Sequence, residues 1–103
     1  MSYFIKQQWS RPSKAIQWAF ESTPREVRLH LDETYGKSNL WTKTSREGIG
    51  SLVMTVTTEW QSRQAVDQWW HDEALQAWHA SIKQHNTENG IVLLHEETYS
   101  SLK

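Results

Sequence analysis

Apolar and polar positions alternate from the start of the chain. Tyr3, Ile5, Gln7 and Trp9 share one parity, and Phe4, Lys6 and Gln8 share the other. That period of two predicts a strand over residues 3–9. Pro12 closes it and suits the first turn of a helix. Ala15, Ile16, Ala19 and Phe20 then recur at helical spacing. Thr23-Pro24-Arg25-Glu26 predicts a fresh helix start: a threonine cap, proline at the first helical position and glutamate three residues on. Val27, Leu31 and Tyr35 form its apolar stripe, and Gly36 suits its C-cap. The first helical region is therefore expected as two segments meeting near Ser22 and Thr23. A strand is expected over 39–45, carrying Leu40 and Trp41, and then a turn over 46–50. Residues 51–60, SLVMTVTTEW, make the clearest strand. Leu52, Met54, Val56 and Trp60 take one face; Val53, Thr55 and Thr57 take the other. The two strands suggest a hairpin. Ser62 is expected to cap the second helical region, and Asp72 to cap again after a kink at Trp70-His71. His71, Leu75, Trp78, His79 and Ile82 follow at i, i+4, i+7, i+8 and i+11, one helix face. Asn89-Gly90 is a stop signal, and 91–99 reads as the last strand.

The order is β-α-β-β-α-β. It predicts a ferredoxin-like α+β fold: a four-stranded antiparallel sheet with both helical regions on one face, in a single domain over 1–103. The other sheet face should be polar if it met water. Yet apolar residues fall on both parities, Val53 against Leu52 and Leu94 against Leu93. A second copy's sheet packed there would cover them, so a homodimer through the open face is expected.

Composition narrows the function classes. The chain has 103 residues, 11 basic and 12 acidic, and no cysteine. No basic stripe favours nucleic acid. Disulfides, cysteine–zinc sites and thiol catalysis are excluded. No apolar run approaches the ~20 residues of a membrane span, and the first residues lack the apolar core of a signal peptide. The expectation is a soluble, cytoplasmic protein. Candidate chemistry gathers in residues 59–82, EWQSRQAVDQWWHDEALQAWHASI, which hold Trp60, Trp69, Trp70 and Trp78 of the seven tryptophans, with His71 and His79. Trp69 and Trp78 suit core packing and pocket walls alike. Trp70 is about 100° round the helix from Trp69, so one of the pair should reach a partner, a pocket mouth or the dimer seam. His71 and His79 are separated by Leu75, where a metal pair would prefer i, i+4, so no metal is expected. His95 shares its parity with Ile91, Leu93, Glu97 and Tyr99, and is expected to line a cavity or the interface. His30, His85, Arg25, Arg28 and Glu96 read as solvated, and Trp9 and Trp41 as packing. No phosphate loop, Ser/His/Asp set or carboxylate pair is evident.

Strand 53–60 running into Glu59-Trp60-x-Ser62, then Ala65, Trp69 and His79, resembles the dimeric α/β-barrel proteins of the antibiotic-biosynthesis monooxygenase type. The resemblance implies a pocket in each protomer between helices and sheet. Some members of that family oxidise quinols or polyphenols with molecular oxygen and neither metal nor flavin. Another branch degrades haem: a His on the second helix binds iron, a Trp ten residues earlier presses on the porphyrin, and a first-strand Asn hydrogen-bonds near the iron. His79 and Trp69 match the first two here, with Trp60 nine residues before Trp69. Gln7 or Gln8 occupies the place of the Asn, one methylene longer. The implied function is a cofactor-independent monooxygenase acting on a quinol or phenolic small molecule. His79 would be the base and Gln7 a polar anchor; Trp60, Trp69, Trp78, Gln8 and His95 would bind substrate. Haem held by His79 is the alternative, and a non-catalytic binding or interaction module is the third reading.

Overall fold

A computed structural model describes residues 2–101. Strands β1 (Ser2–Ser10), β2 (Trp41–Glu47), β3 (Val53–Trp60) and β4 (Val92–Ser101) form one antiparallel sheet in the order β2-β3-β1-β4. Helices α1 (Arg25–Leu31), α2 (Arg63–His71) and α3 (Gln76–Asn89) complete the ferredoxin-like α+β fold. Side chains directly opposite in an antiparallel pair point the same way. The register Tyr3↔Trp60, Gln7↔Val56, Trp9↔Met54 therefore sends Tyr3, Ile5, Gln7 and Trp9 to the helix side with Met54, Val56 and Trp60. There they meet Val27, Leu31, Tyr35, Ala65, Val66 and Leu75 in the main core, and Trp18 and Ile91 in a smaller one. No helix among the described residues is long and apolar enough to cross a membrane.

The segment before α1 departs from the expected helix. Only Ala19–Ser22 winds, as a 3-10 turn. Tertiary anchors override helical spacing here. Arg11 is buried at 7% exposure. Its guanidinium donates from Nε to the Ser51 carbonyl (2.9 Å), from Nη1 to that of Ile16 (2.7 Å) and from Nη2 to that of Ile49 (3.1 Å). Trp18 lies 4.5 Å under the guanidinium and donates its indole N–H to Ile49 as well, at 2.8 Å. A chain that must bring Ile16 and Trp18 to one cation loops rather than coils. Thr23 does not cap α1: its hydroxyl donates back to the Phe20 carbonyl at 2.7 Å, and Pro24 leads into the helix. Past Leu31 the chain widens into a π-helical turn, Asp32–Gly36, in which Tyr35 is fully buried.

Asn39 is left-handed, at φ 57°, so residues 36–40 turn and β2 begins only at Trp41. The hairpin turn falls later than expected as well. β2 runs to Glu47, and Gly48 takes φ 75°, where a Cβ would approach the Val53 carbonyl to 2.6 Å. In the second helical region both expected caps form. Ser62 Oγ accepts from the Ala65 amide at 3.3 Å, and Asp72 Oδ1 accepts from that of Ala74 at 3.0 Å. The Asp72 break leaves His71 exposed at the end of α2, off the stripe of Leu75, Trp78, His79 and Ile82.

β4 corrects a further expectation. Trp9 pairs with Leu93 but Gln8 with His95, so Leu94 is an extra residue. Such a bulge flips side-chain parity. His95, Glu97 and Tyr99 therefore point to the open face without Leu93. Leu93 turns to the helix side and Leu94 falls in the bulge, while Val53 stays on that face, as the sequence pattern suggested. Phe4 and Tyr99 stack on it at 4.9 Å beside Lys6, Gln8, Thr55 and Thr57.

Candidate functional site

Four of the residues singled out by the sequence meet on the helix side. Trp60, from the end of β3, is buried, and its ring lies 5.6 Å from that of Trp69 on α2. Trp69 is 5.9 Å from Trp78 and 4.5 Å from His79, both on α3. The His79 ring is also 4.7 Å from Trp70 and 5.3 Å from Trp78. Trp69 and Trp70 thus both flank His79, although Trp70 is half exposed. His79 Nε2 donates to the Trp69 carbonyl at 3.3 Å, which leaves Nδ1 as the acceptor nitrogen. Gln7 is on the same side of the sheet, held by other partners: its amide donates to Glu96 at 2.6 Å and its oxygen accepts from the Trp9 indole at 3.2 Å. Gln8 and His95 project from the opposite face, so the sheet divides the expected site in two.

A concavity lies on each face. On the helix side a cleft of about 330 Å³ runs between α3 and the segment before α1, lined by Ala19, Ser22, Pro24, Trp78, Ser81, Ile82 and His85. The Trp78 indole N–H is buried without a hydrogen-bond partner among the described residues. His85, expected to be solvated, closes one end: its Nε2 donates to the Gln17 carbonyl at 2.7 Å and pins the loop to α3. On the open face a trough of about 340 Å³ is lined by Lys6, Gln8, Ser45, Glu47, Thr55, Thr57, His95, Glu97 and Tyr99. Lys6 and His95 each stand 3.8 Å from Glu97.

Sequence reasoning missed a polar triad beside the aromatic cluster. Asp72 Oδ2 accepts from the Tyr35 hydroxyl and from His30 Nε2, both at 2.7 Å. Thr34 lies 3.4 Å from His30 Nδ1. Burial pushes the Tyr35 phenol well above its ordinary value, and the Asp72 carboxylate adds to that. Burial also pushes the Asp72 carboxyl upward, but hydrogen bonds from His30, Tyr35 and the Ala74 amide outweigh it and hold the group below the usual carboxylate range. The only sequence signal for this triad was the helix break at Asp72; nothing local links that residue to His30, 42 positions earlier.

These residues do not fit haem. An axial imidazole needs a free nitrogen facing a flat, open slot. His79 lines neither concavity, its Nε2 is against the Trp69 carbonyl, and three indoles surround its ring. Among the described residues no group of three or more His, Asp or Glu could hold a metal ion.

No family model matches the sequence, and no curated protein matches it significantly. Solved structures do share its fold. A protein from Deinococcus radiodurans, described as a putative antibiotic biosynthesis monooxygenase, superposes with TM-score 0.59 at 12% identity, covering 100% of this chain and 94% of its own. A dimeric ferredoxin-like protein from an uncultured marine organism gives 0.59 at 9% identity, covering 99% and 96%. Another of the same description gives 0.56 at 11%, covering 98% and 95%. At such identities the likeness is one of fold.

Proposed function

We propose that this chain is a cofactor-independent monooxygenase of the dimeric α/β-barrel kind, acting on a small phenol or quinol bound in the helix-side cleft. The observation that carries the reading is the wall of that cleft: Trp78 lines it, and the indole N–H of the same side chain is buried without a hydrogen-bond partner among the described residues. An unpaired buried donor costs about 1–3 kcal/mol. A small turn of the indole toward a ligand oxygen would recover much of that. The cleft volume is at the low end of small-molecule sites and suits one or two fused rings.

In this reading His79 stands behind Trp78 rather than in the cleft wall, and the same turn of the indole toward the ligand opens the path by which the phenolic proton reaches Nδ1. The phenolate is the electron donor to oxygen. A phenol with an open para position gains one oxygen atom as a quinone carbonyl, and the second oxygen atom leaves as water. Gln7 steadies the sheet beneath through Glu96 and Trp9. A second copy packed on the open face makes the barrel and encloses the trough that holds Gln8 and His95. The dimeric ferredoxin-like proteins of the same fold support that arrangement.

Oxygen consumption with a panel of hydroquinones and naphthols tests the reading. Turnover is expected with at least one compound, falling about 10²–10⁴-fold in His79→Ala and with a raised KM in Trp78→Phe. Quenching of tryptophan fluorescence without oxygen uptake would instead make the chain a binding protein. An unchanged rate in His79→Ala would remove the base.

A further inference from the structure

The tandem Trp69-Trp70 is not needed to wall the cleft. Trp70 is 51% exposed and meets Trp69 edge-on at 4.8 Å between centroids. Trp69 lies 5.6 Å from Trp60, and Trp60 lies 6.3 Å from Tyr35. Centroids this close put neighbouring rings in van der Waals contact. Three indoles, among the most readily oxidised side chains, thus connect the surface to a fully buried phenol.

The last two members of this run differ in one chemical respect. The Trp60 indole N–H donates to the Thr58 hydroxyl at 2.9 Å. A hydroxyl is a weak base, so an indole that has lost an electron keeps its proton there, and the electron vacancy stays mobile. The Tyr35 hydroxyl instead donates to a carboxylate, Asp72, at 2.7 Å. A phenol that loses an electron becomes a very strong acid. Even a carboxylate held below its usual range accepts its proton, and the hydrogen bond from His30 Nε2 keeps that oxygen in place.

We propose that Trp70, Trp69 and Trp60 form a hole-transfer relay that ends at Tyr35, with Asp72 as proton acceptor. A one-electron oxidant at the surface, an oxygen-centred radical or an oxidised metal complex, takes an electron from Trp70. The vacancy passes through Trp69 and Trp60. Tyr35 fills it, giving up one electron to Trp60 and its hydroxyl proton to Asp72 Oδ2. The oxidant is reduced by one electron, the three indoles return to their starting state, and the phenol O–H bond is exchanged for a carboxyl O–H bond. The product is a neutral tyrosyl radical. Because Trp78 is 5.9 Å from Trp69, oxidising equivalents arising at the cleft can enter the same path. The relay does not depend on the cleft being an oxygenase site.

The test is flash oxidation of the intact chain by a photoexcited ruthenium polypyridyl complex with persulfate as electron acceptor. Transient absorption and electron paramagnetic resonance report the tryptophan and tyrosyl radicals. The chain has three tyrosines, and Tyr3→Phe/Tyr99→Phe leaves Tyr35 alone. That variant removes only two hydroxyls and is expected to give the wild-type tyrosyl signal. Tyr35→Phe is expected to stop at a tryptophan radical. Asp72→Asn is expected to slow tyrosyl formation about tenfold or more, the rate equivalent of one charge-assisted hydrogen bond. It should also change the solvent deuterium isotope effect, which a merely structural role would leave alone. Loss of the signal in Tyr3→Phe/Tyr99→Phe, or a wild-type rate and isotope effect in Asp72→Asn, overturns the proposal. If Tyr35→Phe fails to fold, the other two variants decide it.

Discussion

Arg11 shows how much one side chain can organise. Its three carbonyl acceptors belong to two separate segments, residues 16 and 49–51, and its flat face rests on Trp18. Arg11→Met leaves those carbonyls without their donor and is expected to cost about 3 kcal/mol or more, read as a lowered urea midpoint. Arg11→Lys should recover only part of that loss, because an ammonium cannot span three acceptors as a guanidinium fork does. Asp72 and Tyr35 set opposite pH limits. The Asp72 carboxyl titrates lower in the folded chain than in the unfolded one, so the unfolded chain binds its proton first as pH falls. Its contribution is complete above about pH 5 and is lost as pH drops below the ordinary carboxylate value of about 4. Tyr35 titrates higher when folded, so its contribution is complete at neutral pH and is lost as pH rises past about 10. Stability measured against pH in Asp72→Asn should show a flatter acid limb, and in Tyr35→Phe a flatter alkaline limb.

Element boundaries were legible wherever a local rule settled them. Ser62, Asp72 and Gly90 punctuate the second helical region as their residue types suggest. Gly90 takes φ 68°, and a Cβ there would press on the Pro12 ring at 3.1 Å. Gly90→Ala is therefore expected to lower stability by about 1–2 kcal/mol in thermal or urea unfolding. Ser62→Ala should cost about 1 kcal/mol through the lost cap. Thr23→Ala, at a position where the hydroxyl serves the preceding turn, should leave the α1 start in place. What could not be read locally was set by distant partners. Residues 11–24 have helical spacing, yet Arg11 holds them to the 48–52 turn. The parity of β4 was misread because one inserted residue, Leu94, leaves no mark in an apolar run. The Trp60, Trp69, Trp78 and His79 cluster was legible from helical spacing and a strand end. Gln8 lies across the sheet from it by the plain alternation of β1, and His95 by a bulge that the sequence does not announce.

At the scale of the whole molecule, all three helices lie on one side of the sheet, and the other side is a shallow polar trough edged by the Phe4–Tyr99 stack. A second copy laid over that trough would bury Lys6, Thr57 and Glu97 of each protomer together. Thr57→Arg puts a second cation opposite Lys6 in the β1–β3 register and should split the proposed dimer. Light scattering after size exclusion would then give the 12.2 kDa of one chain. A monomeric parent of that same mass would remove the barrel. The strand order also leaves β4 at an outer margin of the sheet, with one side of its backbone ladder unpaired. That margin begins with Val92, Leu93 and Leu94, all exposed, and continues into Glu96 and Glu97. An aliphatic run on an open ladder invites a further strand, and fibres grow by such additions. The two carboxylates set like charge against like whenever a second β4 approaches in register. Colloidal lifetime in concentrated solution thus rests on two acidic side chains already engaged within the chain, Glu96 with Gln7 and Glu97 with Lys6 and His95, and neutralising both would turn the last strand into a seed for aggregation.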